Sequence, residues 1–159
     1  MLNEYFAILV DCIEAEGGKV DKYVGDSVMA SWEPDKDGIS VDGVIHAARQ
    51  IRHRVTEDNI VRRREQRVAP CVRIGIHTRN AIVGNIGAPG RINYALVGDT
   101  VYLAARLKQL SKTTGPAVDA KILISDTTAA LAKDRDGLTH CGTHEIRGRD
   151  GSIGVWSLD

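Results

Sequence analysis

The chain has 159 residues, and its proportions of hydrophobic (43%) and charged (26%) residues are those of a globular domain. The formal net charge is zero, so no overall field draws the chain to nucleic acid or to an anionic membrane. Aromatic residues make up 4%, which argues against a stacking platform for single strands, and no apolar run reaches the roughly 20 residues that span a bilayer.

Hydrophobic periodicity and turn residues predict helices and strands that interleave in one domain, residues 1–159. The predicted elements, in chain order, are a helix from Leu2 to Ile13 stopped by Gly17-Gly18, a hairpin from Lys19 to about Trp32, a loop from Glu33 to Gly38, a helix from Val41 to about Gln66, a strand from Cys71 to His77, a strand from Ala81 to Asn85, a turn at Ala88-Pro89-Gly90, a helix from about Asp99 to Lys112, a strand from Ile122 to Ile124, a helix capped by Ser125 that reaches Ala132, and strands from about Leu138 to Ile146 and from Ile153 to Leu158.

Two finer expectations concern the middle of the chain. The strand at 81–85 is predicted to be the hairpin partner of the strand at 71–77, and the long helix is predicted to fray or break near Asp58-Asn59. Strands, helices and several hairpins in this order favour an α+β or mixed α/β fold with a largely antiparallel sheet.

The first hairpin carries the most informative residues. Gly25-Asp26 is a tight-turn dipeptide, which places the Asp26 carboxylate at the tip of a ribbon where it can hold a cation. Strand alternation puts Lys22 on the same face as Val20 and Val24, which is unusual for a lysine that only solvates a surface. The alternatives are an ordinary turn aspartate and a solvated strand lysine.

The spacing of the cysteines and the absence of several catalytic motifs exclude some classes of site. Cys12, Cys71 and Cys141 are far apart and form no C-x-x-C pair, which disfavours a structural zinc site and predicts free thiols in a reducing, cytoplasmic setting. A larger parent protein would still be able to tether the domain to a membrane. The sequence has no phosphate-binding glycine loop of either standard type, no G-x-S-x-G elbow and no H-E-x-x-H.

Four blocks, in order along the chain, resemble the catalytic domain of class III nucleotide cyclases. They are the opening Leu2-Asn3-Glu4-Tyr5-Phe6, the segment Asp21-Lys22-Tyr23-Val24-Gly25-Asp26, the pair Ile74-Gly75-Ile76-His77-Thr78 and Val83-Gly84-Asn85-Ile86-Gly87, and the segment from Tyr94 to Leu107. Each block is weak alone, but together they cover most of the chain and are specific.

The resemblance implies a ferredoxin-like α+β core with flanking helices and a mainly antiparallel sheet. It implies conversion of ATP or GTP to the 3′,5′-cyclic monophosphate with release of pyrophosphate. It also implies two Mg²⁺ or Mn²⁺ ions, held by oxygen ligands, that assist attack of the 3′-hydroxyl on the α-phosphorus. The family works as head-to-tail dimers with sites at the interface, which implies a homodimer here.

Residue by residue, the resemblance gives Asp26 a metal-binding role and Lys22 the reading of the base, where a lysine favours ATP over GTP. Arg106 matches the arginine that stabilises charge on the transferred phosphate. Arg147 and Arg149 lie where the family often has a phosphate-binding lysine, although a solvated loop is the alternative for each.

Three departures from the family pattern weaken this assignment. Tyr102 replaces the asparagine that orients the ribose, so its hydroxyl would either reach a ribose oxygen or block it. Ala95 replaces the second base-reading residue, an aspartate or threonine, which would weaken selectivity. The family's opening strand, whose F-x-D aspartate is the first metal ligand, has no match in this sequence. We therefore expect a domain that is N-terminally incomplete relative to the family, with only one metal carboxylate matched.

The sequence therefore predicts an ATP-using cyclase domain working as a homodimer, with no nucleic-acid partner and no direct membrane contact. The leading alternative is a cyclase-like module that binds nucleotide, dimerises or relays a signal without turnover. A ferredoxin-like nucleic-acid binder is a third class, suggested by Arg62-Arg63-Arg64 but disfavoured by the zero net charge and the shortage of aromatic residues.

Overall fold

A computed structural model describes residues 2–34, 36, 38, 40–88, 91–116, 118–146 and 151–159, with the backbone alone given for part of the segment 83–97. The helices and strands, in chain order, are α1 (Leu2–Ala15), β1 (Lys19–Val24), β2 (Ser27–Ser31), α2 (Asp42–Arg64), β3 (Val72–Ile76), β4 (Ile82–Ala88), β5 (Arg91–Val97), α3 (Asp99–Leu110), β6 (Ala120–Ser125), α4 (Asp126–Leu131), β7 (Leu138–Glu145) and β8 (Ser152–Leu158). The predicted α+β class is confirmed, and the predicted Ser125 cap is present, because its hydroxyl accepts from the backbone N–H of Thr128.

The central sheet has the strand order β3-β6-β8-β7. β3 and β6 are parallel, whereas β6, β8 and β7 pair antiparallel. The prediction that the strand at 81–85 pairs with β3 is wrong, because β4 instead forms a continuous antiparallel ladder with β5, a strand that the sequence did not predict. Along the chain, only residues 89–90 separate β4 from β5, whereas residues 77–81 separate β3 from β4, and β3 pairs with β6 instead.

The hairpin β1–β2 is a separate two-stranded sheet with a bulge at Asp21, since Val20 pairs with Ala30 whereas Lys22 pairs with Met29. The extra residue offsets the alternation of side chains by one position. Val20 accordingly packs with the core, whereas Lys22 and Val24 are exposed. The expectation that Lys22 shares a face with Val20 is therefore wrong.

The long helix α2 is continuous through Asp58-Asn59, contrary to the expected break. Asn59 is fully buried, and its side-chain amide donates to the Pro70 carbonyl and to Asp119, both at 2.8 Å. These bonds satisfy the side-chain nitrogen of a residue type that would otherwise favour a turn. Arg62 is also buried rather than solvated, with its guanidinium 2.9 Å from Glu4 on α1.

The core has two main layers that meet along α2. One lies between α2 and the central sheet, and the other joins α1 and α2 to the hairpin β1–β2. Among the described residues, no helix combines the length and the apolar character needed to cross a membrane.

Helix α3 can pack closely against β3 because Gly75 has no side chain. A Cβ atom there would collide with the Ala104 carbonyl oxygen and would lie 2.5 Å from the Lys108 backbone nitrogen. On the same side of α3, Leu103 and Leu107 are completely buried. Gly75 therefore fixes how closely α3 approaches the sheet, and with it the position of Arg106.

Candidate active site

The hairpin tip presents Asp26 to solvent. Gly25 adopts φ +62° in the turn, a conformation that favours glycine, and the exposed Asp26 carboxylate follows it. The Ser27 hydroxyl donates to Asp26 Oδ1 at 3.3 Å. Beneath the hairpin, burial raises the pKa of the Tyr5 hydroxyl well above its usual range, and the charges of Cys71 and Asp26 add to this, so Tyr5 stays neutral.

Lys22 forms an ion pair that the sequence did not reveal. Its Nζ lies 3.3 Å from Asp21 Oδ2, and the Asp21 side chain is only 10% exposed against 42% for Lys22. Asp21 Oδ2 is buried and accepts no hydrogen bond of good geometry from any described residue. The bulge brings these consecutive side chains together, and nothing in the local sequence pattern signals a bulge.

A second contact missed from the sequence connects α3 to the hairpin turn. Lys108 Nζ donates to the Ser27 hydroxyl oxygen at 2.6 Å. Through Ser27, Lys108 is linked to the Asp26 carboxylate of the same chain. The side of α3 that carries Lys108 therefore faces the hairpin of its own chain.

Arg106 lies on another side of α3. It is two residues before Lys108, which corresponds to about 200° around an α-helix. Its guanidinium carbon lies 4.9 Å from the centroid of the Tyr102 ring, and its Nη1 donates to Gln109 Oε1 at 2.6 Å. The structure thus brings Tyr102 and Arg106 together, and directs Arg106 away from the side of α3 that reaches the hairpin of the same chain.

Three predicted site residues are not placed by these contacts. The backbone of Ala95 pairs with Gly84 in the β4–β5 ladder, but its side chain is outside what the structure describes. Arg147 and Arg149 lie outside the described residues. Their predicted roles stay predictions.

The Asp26 carboxylate at the hairpin tip can bind a hard divalent cation if the substrate supplies further ligands to the same ion. Within the ranges that the structure describes, no three His, Cys, Asp or Glu side chains come together as a metal cage. Mg²⁺ is usually held by one or two carboxylates together with waters and substrate phosphates. The exposed Asp26 carboxylate fits that shared mode and does not fit a cation held by protein ligands alone.

Residues 1–158 match the family model described as the adenylate and guanylate cyclase catalytic domain. Adenylate cyclase 1 of Rhizobium meliloti (strain 1021) is 31% identical over 159 residues, which cover 99% of this chain and 23% of that protein. The chain thus spans about a quarter of the length of this relative.

Two solved structures also resemble the chain over 99% of its length. The adenylyl cyclase CyaB from P. aeruginosa is 28% identical, with a TM-score of 0.81 and 80% of that chain covered. The guanylyl cyclase Cya2 is 26% identical, with a TM-score of 0.77 and 77% of that chain covered. These structures confirm the predicted fold. One of them is an adenylyl cyclase and the other a guanylyl cyclase, so the fold is shared by both kinds of enzyme.

Proposed function

Because the chain belongs to the adenylate and guanylate cyclase catalytic domain family, we propose that two copies of it form a nucleotide cyclase that converts ATP into 3′,5′-cyclic AMP and pyrophosphate. The 3′-oxygen forms a bond to the α-phosphorus as the bond between the α-phosphorus and the oxygen bridging it to the β-phosphorus breaks. Pyrophosphate leaves with that oxygen, and the hydroxyl proton is released to water. In this proposal Asp26 of one copy and Lys22 and Arg106 of the other act on the same nucleotide.

The observation that carries the proposal is the division of α3 into two sides. Lys108 reaches the hairpin turn of its own chain, whereas Arg106 lies about 200° away around the helix. Arg106 is therefore poorly placed to serve the Asp26 of its own chain. A head-to-tail pair of chains, with two equivalent sites, supplies each Asp26 with an arginine from its partner.

The side chains have distinct tasks in this reaction. Arg106 would donate to the phosphate oxygens on which charge develops, a task that suits a planar guanidinium. Asp26 would hold Mg²⁺ or Mn²⁺ jointly with the substrate phosphates. When bound, such ions lower the pKa of the attacking hydroxyl and neutralise the phosphates.

Lys22 favours adenine in this proposal, because its ammonium can donate to a ring nitrogen that is an acceptor in adenine and carries hydrogen in guanine. The pairing with Asp21 uses one side of the ammonium and leaves the 42% exposed side chain able to donate outward. Ala95 offers no second polar contact, so discrimination against GTP should be weaker than in a site with two such contacts.

The test is to incubate the purified chain with ATP or GTP and Mn²⁺, and to separate cyclic nucleotides by chromatography. Cyclic AMP from the wild type that is absent from Asp26→Ala and from Arg106→Ala supports the enzyme. An equal mixture of the two inactive variants should regain about a quarter of wild-type activity, because half of the dimers are mixed and each holds one intact site. Two inactive variants that never complement would contradict the shared site.

A second candidate function is a nucleotide-binding module without turnover. The observation that favours it is Tyr102, whose ring lies over the Arg106 guanidinium where the family motif has an asparagine. In that case ATP would bind, as measured by calorimetry with Mn²⁺ present, but no cyclic product would form at any protein concentration.

A further inference from the structure

Arg106 is held on both sides by residues of its own helix. Tyr102 precedes it by four residues and Gln109 follows it by three, so all three side chains share one face of α3. The ring centroid of Tyr102 is 4.9 Å from the guanidinium carbon, and the Gln109 side-chain oxygen is 2.6 Å from Nη1. Arg106 as a whole is half-buried, and these two contacts hold its guanidinium along the helix.

This arrangement leaves the useful part of the guanidinium available. An aromatic ring attracts the flat face of a guanidinium, whereas hydrogen bonds leave from its edge. Gln109 takes one edge donor, so further N–H groups of Arg106 remain in the plane of the group. A restrained arginine loses less conformational freedom when it meets a phosphate, and a well-oriented group is more effective than a mobile one.

We propose that Tyr102 is a positioning residue that acts through Arg106. Its ring, not its hydroxyl, holds the guanidinium in the orientation in which it meets the phosphates of the nucleotide. This inference rests on the proposed function and adds to it, because it assigns Tyr102 a role other than contacting or blocking the ribose.

Two substitutions separate the ring from the hydroxyl. Tyr102→Phe keeps the ring face and removes only the hydroxyl, whereas Tyr102→Leu removes the ring and keeps apolar bulk. Tyr102 is half-buried, so both variants should fold, which circular dichroism and thermal unfolding can check.

The first readout does not depend on activity. A ring over the guanidinium shifts the NMR signals of the Arg106 δ-methylene protons upfield, and Arg106→Lys assigns them. The shift should be present in the wild type and in Tyr102→Phe, and absent in Tyr102→Leu. Its absence from the wild type, or its persistence in Tyr102→Leu, would overturn the proposal.

The second readout is kinetic. We expect Tyr102→Phe to keep kcat within about twofold of the wild type, and Tyr102→Leu to lose about tenfold in kcat with KM for ATP changed far less, since Arg106 acts mainly on the transition state. Equal losses in both variants would overturn the proposal in favour of the hydroxyl. An unchanged kcat in Tyr102→Leu would overturn the proposal and mean that the ring has no role. A higher kcat in Tyr102→Leu would also overturn it and mean that the ring blocks the site.

Failure of the proposed function is distinguishable from failure of this inference. A wild-type chain that makes no cyclic nucleotide contradicts the function and the phosphate role together. An active wild type in which Tyr102→Phe is as slow as Tyr102→Leu contradicts only the role of the ring.

Discussion

Replacing Gly75 by alanine tests whether the approach of α3 to the sheet sets both stability and activity. The added Cβ would collide with the Ala104 carbonyl oxygen, and would lie 2.5 Å from the Lys108 backbone nitrogen and 3.1 Å from Leu107 Cβ. Ordinary van der Waals contacts between such atoms begin at about 3.5 Å. Two of these neighbours are backbone atoms, so no side-chain rotation can relieve the overlap.

The helix as a whole must therefore move by at least about 1 Å, because that is the shortfall between 2.5 Å and an ordinary contact and the Ala104 carbonyl oxygen would lie closer still. Overpacking of a core costs about 1–3 kcal/mol and sometimes more, and a clash with helix backbone belongs at the upper end, about 3 kcal/mol. For a chain of this size that corresponds to a fall of about 6–12 °C in Tm. A displacement of about 1 Å at Arg106 should also reduce kcat by about a hundredfold.

The assay is urea unfolding followed by tryptophan fluorescence, with thermal unfolding as a check. Gly84→Ala is the matched control, since a Cβ on that β4 glycine meets no atom of the described residues within 4 Å. The control should stay within about 0.5 kcal/mol of the wild type. If Gly75→Ala is as stable as Gly84→Ala and keeps its activity, the close approach of α3 does not position the site.

Two further predictions concern other parts of the chain. The hydrogen bond from Arg63, aided by Asn59, holds the pKa of Asp119 below its usual 3.8, so its stabilising contribution is complete at neutral pH and is lost as pH falls from about 3.8 through the lowered pKa of the folded state. Asp119→Asn should therefore show a flatter fall in urea midpoint between about pH 5 and pH 3 than the wild type, and identical slopes would contradict this. Burial raises the pKa of the Cys12 thiol, whereas Cys71 is exposed. A thiol reagent should modify Cys71 rapidly and Cys12 only on unfolding, and equal rates would contradict the packing of α1.

Local signals in the sequence were sufficient to locate the helices and the first hairpin, although they wrongly predicted a break in α2. Helical spacing of leucines marked α3, and the Gly25-Asp26 dipeptide marked the turn at the site. The partner of β3 was not predictable in this way, because β6 lies more than 40 residues further along the chain. Pairing at that distance depends on how α3, which lies between the two strands in the chain, and α2, which precedes β3, pack against the sheet.

The site contacts failed to emerge from the sequence for a different reason. The family motif marks Lys22 and Arg106, but it does not mark what holds them. Asp21 reaches Lys22 only because of a bulge, and Tyr102 reaches Arg106 only in one choice of side-chain rotamers. Periodicity already places Tyr102 and Arg106 on one face of α3, but the bulge at Asp21 and the side-chain rotamers that complete these contacts are visible only in coordinates.

Because Lys108 and Arg106 lie on different sides of α3, their variants should behave oppositely when mixed with Asp26→Ala. Lys108→Met removes the 2.6 Å hydrogen bond to Ser27, which should loosen the Asp26 turn of the same chain and lower activity several-fold. In a mixture with Asp26→Ala, each mixed dimer then has one site without its carboxylate and one site with a loosened turn.

The mixture of Lys108→Met and Asp26→Ala should therefore gain no activity beyond that of Lys108→Met alone, whereas Arg106→Ala and Asp26→Ala together should recover about a quarter of the wild-type rate. Equal recovery in the two mixtures would mean that Lys108 also serves the partner's carboxylate. In that case the contact with Ser27 would not be the one that matters for catalysis, and the assignment of the two sides of α3 to different chains would be wrong.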